Sequence, residues 1–210
     1  TSGVKDARGA LATQRVASAA QNDLITSRVG LLTGPVGVGK TTVAERVAGL
    51  ARRQGLVCGG LLAPAMINSC GQKAGIWGME VRTGERRILA RTGRDLGGPA
   101  VGPYSFDGAA LTWALGVIEA ALPGPQGGVR QPCHLLLVDE IGKLELWRGV
   151  GLAPVLPRLA AGEVARSLVL VRESLLDELQ ASLGPVEQRV FRVDEGNRGA
   201  LAPDILAGLL

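Results

Sequence analysis

The sequence predicts an α/β fold: a mostly parallel sheet of about five strands with helices on both faces, and an inserted antiparallel β meander. Three observations carry that expectation. Val29 to Leu32 is an apolar run followed by a Gly-rich loop and then by Val43, Val47 and Leu50 at helical spacing, which reads as strand, loop, helix. His134 to Glu140 is a second apolar run, closed by two carboxylates, as a strand buried on both faces of a parallel sheet requires. Leu168 to Val171 and Arg189 to Val193 are further apolar runs, each leading into a helical pattern, the first over about Ser174 to Leu183 and the second from near Pro203.

Taken in order, the chain opens at Thr1 with a stretch, residues 1–27, that is polar and Ala-rich. Its apolar residues, Val4, Leu11, Val16 and Leu24, sit at poor helical spacing, and it lacks the hydrophobic centre of a secretory signal. An arm or linker is expected there, leading to a longer chain or a protein partner, ahead of a single domain over 28–210. The nine residues from Gly34 to Thr42 then fit G-x-x-x-x-G-K-[ST], with Gly34, Gly39, Lys40 and Thr41 at the required places. A polyphosphate must meet several backbone N–H groups at once, so side chains have to be absent where the loop wraps it. Gly34, Pro35, Val36, Gly37, Val38 and Gly39 form that cradle, and the free N–H groups of the following helix face the anion. Lys40 is assigned to the β and γ phosphates, Thr41 to Mg²⁺ and Thr42 to the α-phosphate.

After the helix, which Gly55 ends, the period changes. Leu56 to Ala63, Ala74 to Arg82 and Arg86 to Ala90 read as short strands, with turns at Asn68 to Gly71 and at Thr83-Gly84, so an antiparallel meander is expected over about 56–91. Gly59 and Gly60 allow close backbone approach there, and the loop with Asn68 and Gln72 either hangs over a substrate or simply extends the sheet. Arg94 to Gly108 is rich in Gly and Pro and is expected to be a long loop. Asp107 then caps a helix to Ala121 with Leu111, Leu115, Ile118 and Ala121 on one face, and Pro123 to Gln131 is another loop.

The run from His134 delivers Asp139 to the carboxyl end of its strand, in the crevice where α/β sheets hold ligands. Asp139 is expected to hold Mg²⁺ through water, and Glu140 to orient or deprotonate an attacking water. With the P-loop about 100 residues upstream, the two motifs are expected to answer one charge problem from adjoining strands. Asp194 to Arg198 follows the last strand, so Asn197 or Arg198 is a candidate contact to base or ribose.

Composition narrows the partners. The charge is 23 minus 19, or +4, spread along the chain, and aromatic residues make up 3%, so neither an extended nucleic-acid face nor a stacking platform is indicated. No stretch reaches ~18 uninterrupted apolar residues, so no membrane span is expected. Cys58, Cys70 and Cys133 lack metal-ligand spacing and read as small buried or neutral residues in a reduced, cytoplasmic setting. The single histidine, His134, opens a strand and is assigned a structural role.

Leu32 to Thr42, the Gly59-Gly60 strand with its hairpins and, above all, Val138-Asp139-Glu140-Ile141-Gly142-Lys143-Leu144-Glu145-Leu146 resemble the small nucleoside-triphosphatase family described from thermophilic microbes, also called cancer-related nucleoside triphosphatases. Glu195-Gly196-Asn197-Arg198 is similar to that family's closing Asn-Arg, and the likeness covers about Val29 to Leu206. The resemblance implies a P-loop fold that hydrolyses ATP, GTP and other triphosphates to diphosphate and phosphate, with little base preference and with Mg²⁺. It places the chemistry on Lys40, Thr41, Asp139 and Glu140, and puts Lys143 and Glu145 in the signature. Two roles stand for Lys143: neutralising transition-state charge, or opening a helix in a pair with Glu145. The sequence departs from the family at Ala63-Pro64-Ala65-Met66, where a charged Glu-x-Arg is usual, which removes the basis for a phosphate contact there.

Two other functions use the same P-loop and Mg²⁺. A nucleotide or small-molecule kinase needs an acceptor site and an Arg-rich lid, for which Arg91 and Arg94 are the sole support; a nucleotide-gated binding module needs only slow hydrolysis and a partner. No Asn-Lys-x-Asp string is present to read guanine. Arg198 is the candidate arginine finger within the chain.

Overall fold

The computed structural model describes residues 27–124 and 133–210, the side chain of Glu140 excepted. The expected arm lies outside the described residues apart from Ser27, whose hydroxyl donates to the Gly162 carbonyl at 2.6 Å. Most of the expected 123–131 loop lies outside them as well.

Five strands run parallel: β1 (Arg28–Thr33), β2 (Cys58–Leu62), β8 (Leu135–Ile141), β9 (Arg166–Val171) and β10 (Glu187–Arg192). Antiparallel strands extend the sheet beyond β2: β3 (Ala65–Ile67), β4 (Lys73–Glu80), β5 (Arg86–Thr92), β6 (Ala100–Val101) and β7 (Tyr104–Phe106). The spatial order is β10-β1-β9-β8-β2-β4-β5-β7-β6, with β3 beside β4. The helices are α1 (Lys40–Arg53), α2 (Gly108–Ala121), α3 (Lys143–Arg148), α4 (Val155–Ala160), α5 (Leu176–Leu183) and α6 (Leu201–Leu209).

Because side chains alternate along a strand, the buried parallel strands feed two apolar layers. Leu135 and Leu137 pack with α1 and α6 on one face, whereas Leu136 and Val138 pack with α2, α4 and α5 on the other. The expectation of about five parallel strands with helices on both faces is met. Asp107 caps α2 as expected, its carboxylate accepting from the Ala110 N–H at 2.9 Å, although Leu115 is only half-buried and Ala110 and Ala114 take its place on the packed face.

Four expectations are corrected. The P-loop strand and the Asp139 strand do not adjoin, since β9 lies between β1 and β8. The expected long loop over 94–108 contains the β6–β7 hairpin, so the antiparallel block runs on past residue 91 to Phe106. Such short strands have no periodicity of their own; β7 is created by pairing with β5, and β6 by pairing with β7. A 3-10 turn, Glu173–Leu175, precedes α5, so the α-helix starts at Leu176 rather than Ser174. Cys70 is exposed, unlike buried Cys58.

Gly60 shows why β2 carries glycines. Its φ is +102°, and an added Cβ would stand 2.0 Å from the Leu137 carbonyl oxygen of β8. Gly60→Ala is therefore expected to cost about 3 kcal/mol, read in a melting experiment as a fall in Tm of about 6–12 °C. A Tm within 2 °C of the parent would show that β2 yields more easily than its geometry suggests. Cys133 makes a second expectation. Burial pushes its thiol up to about 11, against the lowering influence of Arg82. The reactive thiolate is accordingly scarce at pH 8, so iodoacetamide is expected to label Cys70 well before Cys133, and to reach Cys133 quickly only after denaturation, as peptide mass mapping would show.

Candidate active site

The P-loop lies where β1 hands over to α1. Gly34, Gly37 and Gly39 have φ of +149°, +82° and +105°, values that L side chains rarely adopt. At Gly34 the constraint is also steric, since a Cβ would lie 2.3 Å from the Val193 carbonyl oxygen. Gly39 occupies the N-cap of α1 with no capping side chain, and Lys40, Thr41 and Thr42 of the first turn line the cleft. Lys40 folds back under the loop, its Nζ donating to the Gly34 and Pro35 carbonyls at 2.7 and 2.9 Å.

Asp139 reaches the loop from β8 across the intervening β9. Its Oδ2 accepts from the Thr41 hydroxyl at 2.7 Å and from the Ala63 N–H at 3.0 Å. The carboxylate is 5% exposed, and burying it that far requires such donors. The β8–β9 ladder breaks register between Val138 and Ile141, three steps on β8 matching two on β9, so Asp139 and Glu140 sit in an irregularity of the strand. Bulges of this kind re-aim side chains at strand ends. At Ala63, where the sequence departs from the family's charged residues, the chain touches Asp139 through its backbone N–H. Ala63, Pro64 and Ala65 line the cleft, and the contact to Asp139 comes from backbone, which is indifferent to the side chain lost.

The cleft has a volume of about 430 Å³ and is lined by Gly37, Gly39, Lys40, Thr41 and Thr42 together with Asp139. Thr41 and Asp139 offer a hydroxyl and a carboxylate oxygen within hydrogen-bond distance of each other. Hard oxygen donors from one or two side chains, completed by water and phosphate, are what Mg²⁺ takes, so these residues fit that ion.

Other predicted residues are placed as follows. Arg198 lies over the loop, its Nη1 donating to the Val38 carbonyl at 3.4 Å, and its Cδ would stand 3.8 Å from a Cβ on Gly39. Asn197 serves its own turn: its amide donates to the Arg192 carbonyl, its oxygen accepts from the Asp194 N–H, and its N–H meets the Asp194 carboxylate. Lys143 opens α3 with its Nζ 4.6 Å from the Trp147 ring centre, and it lines a neighbouring cavity rather than the phosphate cleft. Glu145 is buried and caps α3, accepting from the N–H groups of Gly142 at 2.9 Å and Leu152 at 3.3 Å. Asn68 organises its turn by accepting from the N–H groups of Cys70 and Gln72. His134 accepts at Nδ1 from the Val57 N–H at 2.8 Å, joining two parallel strands at their starts.

Two cations in the cleft were not legible beforehand, Lys73 and Arg172. Arg172 follows the apolar run of β9, so the strand-end rule that placed Asp139 would have found it. Lys73 had no such signal: it begins β4 after a turn, and only sheet pairing brings it over, 5.3 Å from the Tyr104 ring centre.

The model of the family described as NTPase matches residues 30–206, taking in the P-loop, the Asp139 strand and the Arg198 turn. The chain belongs to the NTPase family. Among relatives, the nucleoside-triphosphatase THEP1 of Methanopyrus kandleri is 31% identical over 86% of this chain and 94% of its own length. That of Thermofilum pendens is 29% identical over 83% and 91%. A human cancer-related nucleoside triphosphatase, known in solution, superposes with a TM-score of 0.63 at 26% identity, covering 87% of this chain and 97% of the other. The THEP1 crystal structure from Aquifex aeolicus, at 20% identity and a TM-score of 0.64, shares the fold over 86% and 98%. As an NTPase-family chain, it carries a P-loop and a strand-end aspartate that line one cleft, and a closing arginine that contacts the loop at Val38.

Proposed function

We propose that this NTPase-family chain hydrolyses nucleoside 5′-triphosphates to diphosphate and phosphate, with Mg²⁺ as cofactor and little preference among bases. The observation that carries this is the 2.7 Å contact between Thr41 and Asp139, which joins a phosphate-binding loop to a buried carboxylate in one cleft. The names of the THEP1 relatives agree with it. So does the absence from the sequence of an Asn-Lys-x-Asp string for guanine.

The assigned chemistry is in-line attack of water on the γ-phosphorus. The P–O bond to the β,γ-bridging oxygen breaks as the new one forms, and the diphosphate leaves. The backbone N–H groups of the loop, which Pro35 lacks, and of the start of α1 hold the polyphosphate, and Lys40 exchanges its two loop carbonyls for phosphate oxygens, so positive charge is in place before the reaction begins. Thr41 and Asp139 would hold Mg²⁺, which neutralises phosphate charge when bound. Glu140 directly follows Asp139 at the β8 irregularity and is assigned to directing the water; its side chain lies outside the described residues. Arg172 and Lys73, lining the same cleft, add positive charge toward the terminal phosphate, and Arg198 serves the nucleoside end. The arm over 1–27, apart from Ser27 at its end, is assigned to contacts outside this domain.

The test is phosphate release from ATP, GTP, CTP and UTP in parallel, with Mg²⁺ and with excess chelator. Comparable release from all four that stops with chelator is expected. Tight nucleotide binding without release from any of them would overturn the proposal in favour of transfer to an acceptor or of a binding switch.

A further inference from the structure

We propose that the cavity beside the phosphate cleft is a second small-molecule site, taking a single aromatic ring that carries an anionic group. The cavity has a volume of about 160 Å³. An apolar cavity of about 150 Å³ is enough to bind benzene, so one ring fits and a fused nucleobase with its sugar does not. Its walls come from Ile76, Leu89, Tyr104, Phe106, Leu111 and Leu152. The two aromatic side chains on β7 favour a ring over an aliphatic chain, because stacked or edge-to-face rings gain beyond the area they bury.

The charge comes from Arg172, which lines this cavity and the phosphate cleft alike. Among the described residues its guanidinium has no hydrogen-bond or ion-pair partner, so it stands available at the wall between the two spaces. Lys143 lines the cavity as a second cation. The one acidic lining residue, Glu145, is turned to the Gly142 and Leu152 N–H groups. An anionic substituent on the ring therefore meets Arg172, whose planar fork suits a carboxylate or phosphate.

The cavity also has a defined place relative to the nucleotide. Arg198 belongs to the turn after β10, at one edge of the parallel set, whereas the cavity lies between β4, β5 and β7, beyond the opposite edge, and the segments that follow β8 and β9. Its occupant thus lies at the end of the cleft away from Arg198, where the terminal phosphate would be. That placement rests on the assignment of Arg198 to the nucleoside end; binding in the cavity does not, and a binding measurement without turnover keeps the two proposals separable.

The probe is 4-fluorobenzoate, titrated against the full chain and followed by ¹⁹F NMR, with fluorobenzene and fluoroacetate as ring-only and charge-only controls. Saturable 4-fluorobenzoate binding is expected, about tenfold tighter than fluorobenzene, with none from fluoroacetate. Arg172→Gln should weaken 4-fluorobenzoate about tenfold and leave fluorobenzene unchanged. Val101→Trp, at the cavity wall on β6, should abolish binding of both. On the unsubstituted chain, NOEs from the probe ring should reach the methyls of Ile76, Leu89 and Leu111, a readout that stands if either variant folds poorly. No saturable binding, binding indifferent to Arg172→Gln, or NOEs to the P-loop in place of those methyls would each overturn the proposal.

Discussion

Lys40→Ala is expected to reduce nucleotide binding and turnover together, with kcat/KM falling about 10²–10³-fold or more. The ammonium donates to the Gly34 and Pro35 carbonyls at 2.7 and 2.9 Å, beneath the loop that takes the phosphates. Exchanging those carbonyls for phosphate oxygens replaces neutral acceptors by charged ones, and hydrogen bonds between charged partners are about twice as strong. Alanine removes that gain, and it also leaves the loop without the cation that gathers its carbonyls. The measurements are equilibrium binding of a fluorescent nucleotide and phosphate release on the same preparation. Turnover within threefold of the parent would show that the amides and α1 hold the polyphosphate without it.

Glu140→Gln is expected to separate what Lys40→Ala joins. Nucleotide affinity should stay within about threefold while kcat falls ~100-fold or more, because glutamine preserves shape but cannot take a proton from water. Asp139 and Glu140 occupy the stretch of β8 where the ladder to β9 loses register, so the backbone there departs from the regular pairing of the residues before it. Single-turnover kinetics with saturating ATP would separate the chemical step from product release. Unchanged turnover in Glu140→Gln would move the role to another group, and lost affinity would assign Glu140 to binding.

Much of the site was legible because its chemistry is written in backbone terms. A loop that wraps phosphate calls for glycines, and Gly34, Gly37 and Gly39 hold positive φ values that other residues rarely adopt. The apolar run Leu135 to Val138 announced a strand buried on both faces, and the carboxylate after it came to the cleft as that placement implies. Asn197 shows the limit of residue type alone: a polar residue after a strand was a candidate ligand, yet its side chain spends its donors and acceptors on its own turn, while Arg198 beside it reaches the loop. Ala63 shows the converse, since an apolar residue with no visible chemistry supplies a backbone N–H to the buried Asp139.

Sequence by itself determined the phosphate loop, the two strand-and-carboxylate positions, the alternation of helices and strands, and the family resemblance that the comparisons bear out. Those features are local, set by the conformational freedom of glycine and by hydrophobic period, so a window of residues contains their cause. Tertiary structure alone decided that β9 stands between the P-loop strand and the Asp139 strand, that β6 and β7 form inside an expected loop, and that Lys73 enters the cleft. Strand order and two-residue pairings draw their free energy from partners far along the chain, which no local pattern records.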